Sequence, residues 1–276
     1  MSAPAVELRR PKGRRHRHRE MIWGTAVTVD VRAGEEDLPP ERVVQHALDV
    51  AVANMRWVDA VFSTYRADSL VTALRTGLLD ERRLTRWDPA QAALLDVLQR
   101  CREGRRLTGG CFDPWAVRGG FDPSGYVKAW AVERLADDLV RAGCANVCVD
   151  AGGDVVTRGS AAPGEPWTVG IRHPEDPGAV TWTVLPGDGA VSTSGTYERP
   201  AHIVDPRTGR PAAGALSASV VGPDARLAGV LATGLVVAGR DGARWFTGLD
   251  EWSVWVVDPA PAQSAWSIGR DRHRSG

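Results

Sequence analysis

The segment Asp122–Ala136 constrains the fold of this 276-residue chain more than any other. It opens with the turn sequence Asp-Pro-Ser-Gly and continues with apolar residues at helical spacing: Val127, Ala131, Val132, Leu135, Ala136 and Leu139. A helix is therefore predicted to begin near Gly125 and to end at Gly143. Its first turn carries Lys128, and unpaired helix N–H groups beside an ammonium group suit a phosphate. An ordinary surface helix with a solvated lysine fits the same residues.

The remaining elements divide into early helices and late strands. Helical spacing and capping residues predict further helices at 41–62, at 70–74 after Asp68 or Ser69, from Asp88 to just before Gly104, and at 224–238 before Gly239. β-branched or alternating runs predict strands at 25–31, 145–150, 167–171, 180–185, 191–193, 216–221 and 252–257. This pattern indicates an α+β fold with an antiparallel sheet and packed helices.

The composition argues against several classes of protein. Acidic and basic residues balance to a net charge of zero, so nucleic-acid binding by the body of the protein is not expected. No apolar core of a signal sequence lies between Met1 and Arg19, and no later run reaches the length of a membrane span, which predicts a cytoplasmic location without a membrane span. The cysteines lack CxxC pairing, so buried free thiols are expected at Cys101, Cys111, Cys144 and Cys148.

Charge patterning also sets the predicted domain limits. Arginine, lysine and histidine crowd the first twenty positions, and such a run is usually disordered and solvated. Residues 1–20 are therefore predicted to be a disordered basic tail, 21–269 to form the folded domain, and 270–276 to be a disordered C-terminus.

Eight short motifs follow one another along the chain. They are Trp23-Gly-Thr25, Phe62-Ser-Thr-Tyr65 with Asp68-Ser69, Gly110-Cys-Phe-Asp-Pro114, Asp122-Pro-Ser-Gly-Tyr-Val-Lys128, Ala151-Gly-Gly-Asp154, Thr193-Ser-Gly195 with Tyr197-Glu-Arg199, His202-Ile-Val-Asp-Pro-Arg-Thr-Gly209, and Leu231-Ala-Thr233. In this order they resemble the ApbE family, the FAD:protein FMN transferases. The resemblance extends from about Trp23 to about Gly239.

The resemblance implies an ApbE-like (T-fold-like) domain with two lobes around a flavin-nucleotide cavity. It also implies magnesium-assisted transfer of the FMN half of FAD to a threonine or serine hydroxyl of an acceptor flavoprotein, with release of AMP. The catalytic residues would be Asp122, Lys128 and Thr233. FAD would contact Asp122 and Lys128 and also Trp23, Tyr65, Cys111, Phe112, Asp113, Thr193, Ser194, His202 and Ile203. The metal ligands would be the Gly125 carbonyl, an aspartate on the late helix, and Thr233.

The late helix departs from this pattern. The family usually reads Ala-Asp-x-Leu-Ala-Thr where this chain has Ala228-Gly-Val-Leu-Ala-Thr233, so Gly229 supplies no carboxylate. Magnesium favours carboxylate oxygens, and weaker metal binding is expected. Asp224 lies at the wrong helical spacing to replace the missing aspartate. Asp150, Asp154 and Asp205 are left as candidates for the carboxylate ligand. Smaller departures are Trp23 in place of methionine, Ala129 in place of glycine and Thr196 in place of aspartate.

Three other functions fit parts of the sequence. Because of Gly229, the chain could be an FAD-binding homologue with weak or lost catalysis. The basic tail could be a nucleic-acid-binding arm, which predicts steeply salt-dependent binding. The Gly152-Gly153-Asp154 motif could belong to a nicotinamide-dependent oxidoreductase, but no G-x-G-x-x-G motif follows an early strand.

Overall fold

The computed structural model describes residues 14–33, 39–176, 178–197, 203–259 and 264–269. The strands in these ranges are β1 (Arg14–Ile22), β2 (Thr25–Ala33), β3 (Asn146–Asp150), β4 (Asp154–Arg158), β5 (Ser160–Ala162), β6 (Glu165–Pro166), β7 (Val169–Arg172), β8 (Val180–Val184), β9 (Ala190–Gly195), β10 (Ser217–Gly222), β11 (Ser253–Val257) and β12 (Ala265–Ile268). The helices are α1 (Glu41–Phe62), α2 (Leu70–Arg75), α3 (Pro89–Leu107), α4 (Ser124–Arg141) and α5 (Ala225–Ala238), with 3-10 turns at Glu81–Arg83 and Gly239–Phe246.

One antiparallel sheet runs through both halves of the chain. Its strand order is β1-β2-β3-β4-β9-β10-β11-β12, while β5-β6 and β7-β8 form two small separate sheets. The pairing of β4 with β9 joins the two halves, and every neighbouring pair is antiparallel. The predicted α+β class with an antiparallel sheet is confirmed. The predicted division into two lobes around a cavity stays a prediction. Both halves of the chain contribute strands to the one large sheet.

Helices α4 and α5 cover the middle of the sheet and pack against each other. Helix α4 contacts β3 and β4, and α5 contacts β9 and β10. Apolar residues of α4, α1, β2 and β3 form one core cluster, and those of α5, β10 and β11 form a second. The two helices therefore meet above the junction of β4 and β9.

Capping residues fix most helix starts as predicted. The side chains of Ser69, Asp88 and Asp224 accept backbone N–H bonds at the starts of α2, α3 and α5. The prediction that α3 stops before Gly104 is wrong, since the helix continues to Leu107. A Cβ atom on Gly104 would lie 2.9 Å from Val230 Cγ1, so this glycine permits α3 to pack closely against α5.

The prediction of a disordered tail is wrong for residues 14–20. These residues belong to β1, which pairs with β2 from Arg14 opposite Ala33 to Ile22 opposite Thr25. The guanidinium of Arg15 lies 2.6 Å from the Asp30 carboxylate, so part of the basic charge is balanced in the edge strand. Residues 1–13 and 270–276 lie outside the described residues, and their disorder stays a prediction.

The cysteines carry no disulfide. Cys101, Cys111 and Cys144 are buried and Cys148 is half-buried, so the prediction of buried free thiols is confirmed for three of the four. Burial raises the pKa of the Cys148 thiol to about 12, which keeps it protonated at neutral pH. No helix in the described part of the chain is both long and apolar enough to cross a bilayer.

Replacing Leu139 by alanine should strongly destabilise the protein. Leu139 is fully buried in α4, and truncating such a leucine costs about 2–5 kcal/mol. The adjacent Val140 is 39% exposed, so Val140→Ala should change the free energy of unfolding by less than about 0.5 kcal/mol. Urea unfolding of both variants measures the difference. Equal losses of stability would contradict the assigned packing of α4.

Candidate functional site

The start of α4 is built by the Asp122 turn. The Asp122 carboxylate accepts a hydrogen bond from Ser124 N–H at 3.0 Å, and the Pro123 carbonyl accepts bonds from the N–H groups of Tyr126 and Val127. The helix therefore begins at Ser124, one residue before its predicted start. Three N–H groups at this end are therefore already paired, and phosphate binding by the helix start stays a prediction. Lys128 is the fifth residue of α4, and its side chain is 35% exposed at this end.

Helix α5 brings two further positions against α4. Gly229 and Thr233 are one turn apart and therefore share a face of α5. A Cβ atom on Gly229 would lie 3.1 Å from the Gly125 carbonyl oxygen, and a Cβ atom on Gly125 would lie 3.5 Å from Thr233 Oγ1. The three positions named as metal-site positions by the sequence resemblance thus meet between the two helices.

Strand β9 adds two serine hydroxyls beneath this contact. Ser194 Oγ lies 3.1 Å from Thr233 Oγ1, and Ser192 Oγ donates a 2.7 Å hydrogen bond to Asp154 Oδ1. Alternate residues of a strand share one face of the sheet, which places both serines on the helix side. The Thr193 side chain between them instead bonds Ser219 Oγ on β10 at 2.8 Å.

Asp154 opens β4 after a tight glycine turn. Gly152 and Gly153 have φ values of 66° and 114°, and a Cβ atom on Gly152 would overlap Thr25 Oγ1. This turn places Asp154 Oδ2 3.5 Å from Lys128 Nζ. Asp154 is only 8% exposed, and a buried carboxylate requires such partners.

These residues form a continuous set of contacts, called the candidate site below. Its members are Gly125, Lys128, Asp154, Ser192, Ser194, Gly229 and Thr233. It contains one ammonium group, one carboxylate and three hydroxyls. An anionic ligand such as a phosphate matches the ammonium and hydroxyl donors.

The glycine-rich bend 109–114 reaches the candidate site through one ring. Phe112 Cε2 would lie 3.3 Å from a Cβ atom on Gly125. The neighbouring Asp113 instead pairs with Arg105 Nε at 2.8 Å and accepts the N–H of Trp115. Cys111 is buried in the core cluster beneath α5, and burial raises its pKa.

Several residues that the sequence assigns to FAD binding make other contacts. The Tyr65 side chain is 89% exposed, and Trp23 Nε1 donates to the Met55 carbonyl at 3.3 Å. Ile203 packs against the α5 core cluster, and its carbonyl accepts the Ala212 N–H. His202 lies outside the described residues. FAD contacts at these four positions stay predictions.

Among the three candidate substitutes for the missing carboxylate, Asp154 is the one that reaches the candidate site. Asp150 accepts the N–H of Gly152 at 2.9 Å, and desolvation of its carboxylate by the neighbouring chain raises its pKa. Asp205 bonds Arg207 at 2.9 Å, which lowers the Asp205 pKa. Asp224 caps α5 and pairs with Arg226. This agrees with the prediction from its spacing that it does not replace the missing aspartate.

The residues present do not complete a magnesium site. The Gly125 carbonyl and the Thr233 hydroxyl are both neutral oxygens, and position 229 offers no third ligand. No three His, Cys, Asp or Glu side chains cluster as metal ligands within the described ranges. Magnesium in proteins is usually bound through one or two carboxylates, so this donor set does not fit the ion.

Ser192 was absent from the site residues proposed from sequence, and Asp154 appeared only as a candidate replacement for the missing carboxylate. A period of two along Ser192-Thr-Ser194 is the signal that could have placed Ser192 beside Ser194. Lys128 and Asp154 are 26 positions apart and lie on different elements, so their ion pair could not be predicted from sequence spacing.

A sequence profile described as the ApbE family matches residues 116–254, just over half of the chain. The chain belongs to the ApbE family. Proteins named FAD:protein FMN transferase match it at 37% identity in Vibrio cholerae, 38% in Rhodobacter capsulatus and 35% in Salmonella typhimurium. These matches cover 44%, 44% and 47% of this chain and 39%, 24% and 40% of the respective relatives. The chain thus matches less than half the length of these relatives.

Solved structures of this family share the fold. The flavin transferase ApbE from Vibrio cholerae aligns with a TM-score of 0.74 at 21% identity, over 94% of this chain and 98% of that one. The ApbE protein from Thermotoga maritima also aligns with a TM-score of 0.74 at 21% identity, over 92% and 96% of the two chains. These alignments confirm the ApbE-like fold.

Removing the charge of Asp224 should lower stability at neutral pH but not in acid. Burial alone would raise the Asp224 pKa, but hydrogen bonds from Arg226 and from Leu227 N–H lower it overall. A lowered pKa stabilises the fold above the unfolded-state value of about 3.9, and this stabilisation is lost as pH falls through the folded-state pKa. Asparagine keeps the helix cap, so Asp224→Asn isolates the charge.

Urea unfolding of Asp224→Asn at pH 7 and near pH 3 measures the effect. The variant should be less stable by about 1 kcal/mol or less at pH 7, because the carboxylate is partly exposed to solvent. The gap should close in acid. The exposed Asp250→Asn is the control and should match the parent at both pH values. A gap that persists unchanged in acid would exclude the carboxylate charge as its cause.

Proposed function

We propose that this ApbE-family chain is an FAD:protein FMN transferase. The observation that carries the proposal is the meeting of Gly125, Lys128 and Thr233 with the Asp154 and Ser192 pair between α4, α5 and the sheet. Family membership and the names of the relatives support FAD as the nucleotide substrate. An acceptor flavoprotein with a threonine or serine target would be the partner.

In the proposed reaction the acceptor hydroxyl oxygen attacks the phosphorus on the FMN side of the FAD pyrophosphate. The bond from that phosphorus to the bridging oxygen breaks, AMP leaves with the bonding electrons, and the hydroxyl proton is released. Negative charge on the phosphoryl oxygens must be balanced as the bond breaks. Lys128 is the cation that would bind these oxygens.

The other residues of the candidate site would position that cation and the substrate. Asp154 and its hydrogen bond to Ser192 hold the ammonium of Lys128 on the side of α4 that faces β4 and β9. The Thr233 hydroxyl, bonded to Ser194, is a second polar group beside Gly125. Asp122 would contact FAD from the turn that starts α4.

We also propose that magnesium assists the transfer and that the protein is cytoplasmic. Such assistance would have to rest on weak metal binding, because the Gly125 carbonyl and the Thr233 hydroxyl are neutral oxygens and no carboxylate of the described residues joins them. Unpaired thiols are typical of reducing compartments, so the four free cysteines support the cytoplasm. Nucleic-acid binding is not part of the proposal.

A second candidate function is FAD binding with weak or lost catalysis. Gly229 is the specific observation that favours it, because the contact between α4 and α5 has no carboxylate at that position. Both functions require FAD to bind near Lys128. They differ in whether FMN is transferred.

Replacing Lys128 by methionine should weaken FAD binding about 10-fold to 100-fold. This range follows from about 1.5–3 kcal/mol for a charged hydrogen bond. The control is Arg141→Met, which removes a positive charge from the same helix about 20 Å away along its axis and should bind FAD like the parent. Fluorescence titration with FAD measures both. Equal weakening in the two variants would exclude a specific role for Lys128.

Transfer is tested by incubating the protein with FAD, magnesium and an acceptor flavoprotein domain. Flavin fluorescence on the denatured acceptor shows a covalent bond and supports the transferase. FAD binding without any label over a range of magnesium concentrations supports the second function. Failure of the parent to bind FAD would overturn both.

A further inference from the structure

Two of the positions at which this chain departs from the family pattern lie against each other at the crossing of α4 and α5. Ala129 stands where the family usually has glycine, and Gly229 stands where it usually has aspartate. A Cβ atom on Gly229 would lie 3.3 Å from the Ala129 Cβ and 3.1 Å from the Gly125 carbonyl oxygen. Positions that are 100 residues apart in the sequence therefore share one contact.

Helix geometry explains why Ala129 and the Gly125 carbonyl both face Gly229. Gly125 and Ala129 are four residues apart on α4, so they lie one turn apart on the same face. Carbon atoms in contact are most stable about 3.5–4.0 Å apart. A side chain at 229 would therefore be crowded by the Ala129 methyl group at the present distance between the helices.

We infer that Ala129 and Gly229 are one coupled exchange, which fills the contact between α4 and α5 with a methyl group and removes the site for a carboxylate ligand. The inference rests on the proposed function, since it concerns the same site and its metal. Restoring aspartate at position 229 is not sufficient while Ala129 keeps its methyl group. Removing that methyl group is the second change required.

Asp154 does not replace the missing ligand. Ser192 Oγ binds its Oδ1 atom at 2.7 Å, and Lys128 Nζ lies 3.5 Å from its Oδ2 atom. Both carboxylate oxygens therefore have partners, and the ammonium group balances the charge. Tight binding of a divalent cation here requires a new carboxylate.

The test is a double-mutant cycle with Mn²⁺ as the probe. Manganese binding to the full chain without FAD is measured by electron paramagnetic resonance for the parent, Ala129→Gly, Gly229→Asp and the double variant. Each single variant should bind Mn²⁺ within about 3-fold of the parent, and the double variant should bind at least about 10-fold more tightly. The control is Ala131→Gly combined with Gly229→Asp. It places the same helix-destabilising glycine in α4, but at a buried residue of a different core cluster. This control should show no gain in Mn²⁺ affinity.

Three results would overturn the inference. Gly229→Asp alone could bind as tightly as the double variant, the double variant could show no gain, or the parent could bind equally tightly and lose binding in Asp154→Asn. FAD titration of the parent is read separately. Loss of FAD binding there refutes the proposed function and leaves the result of the manganese cycle intact.

A packing measurement covers the case in which Gly229→Asp fails to fold. Gly229→Ala adds only a methyl group, and alanine is the better helix former, so a lower urea midpoint would show crowding. Adding Ala129→Gly should restore part of that midpoint. A midpoint for Gly229→Ala that rises by the full helix-propensity gain of alanine over glycine, with no further effect of Ala129→Gly beyond its own, would overturn the coupling.

Discussion

The close approach of α4 and α5 is the contact on which the candidate site depends. At this crossing a glycine on one helix faces a carbonyl and a methyl group on the other, with 3.1 Å and 3.3 Å to the Cβ position of Gly229. The two helices also cover the junction of β4 and β9, where the halves of the sheet join. A change in the spacing of the two helices would change the distance between Thr233 and the Gly125 carbonyl.

Electrostatics at this crossing differ from those expected of a magnesium-binding site. The site has one ammonium group paired with one buried carboxylate, and its remaining groups are hydroxyls and a carbonyl. A buried carboxylate with two partners is already satisfied, so little charge is left to attract a cation. Lys128 is 35% exposed and can still approach a phosphate from the solvent side.

Local rules predicted the helices well because their starts depend on neighbouring residues. Asp88 and Asp224 cap the helices that follow them, and α1 has the limits that its apolar spacing predicts. Strand β1 was missed because its positive charge suggested disorder. Trp23 and Gly24, with φ values of 56° and 71°, form the two-residue turn that joins it to β2. Gly104 was interpreted as a stop because its packing partner Val230 lies far along the chain.

The amino-acid order alone was enough to establish the family resemblance, most helix limits and the absence of a carboxylate at position 229, because these depend on residue identity and short-range spacing. It could not show that Asp154 pairs with Lys128, nor that Ala129 lies against Gly229. Those pairs join residues on different elements, and their distances follow from how α4, α5 and the sheet pack. The missing carboxylate at position 229 could thus be recognised in the sequence, while the methyl group that lies against this position is set by the packing of two helices.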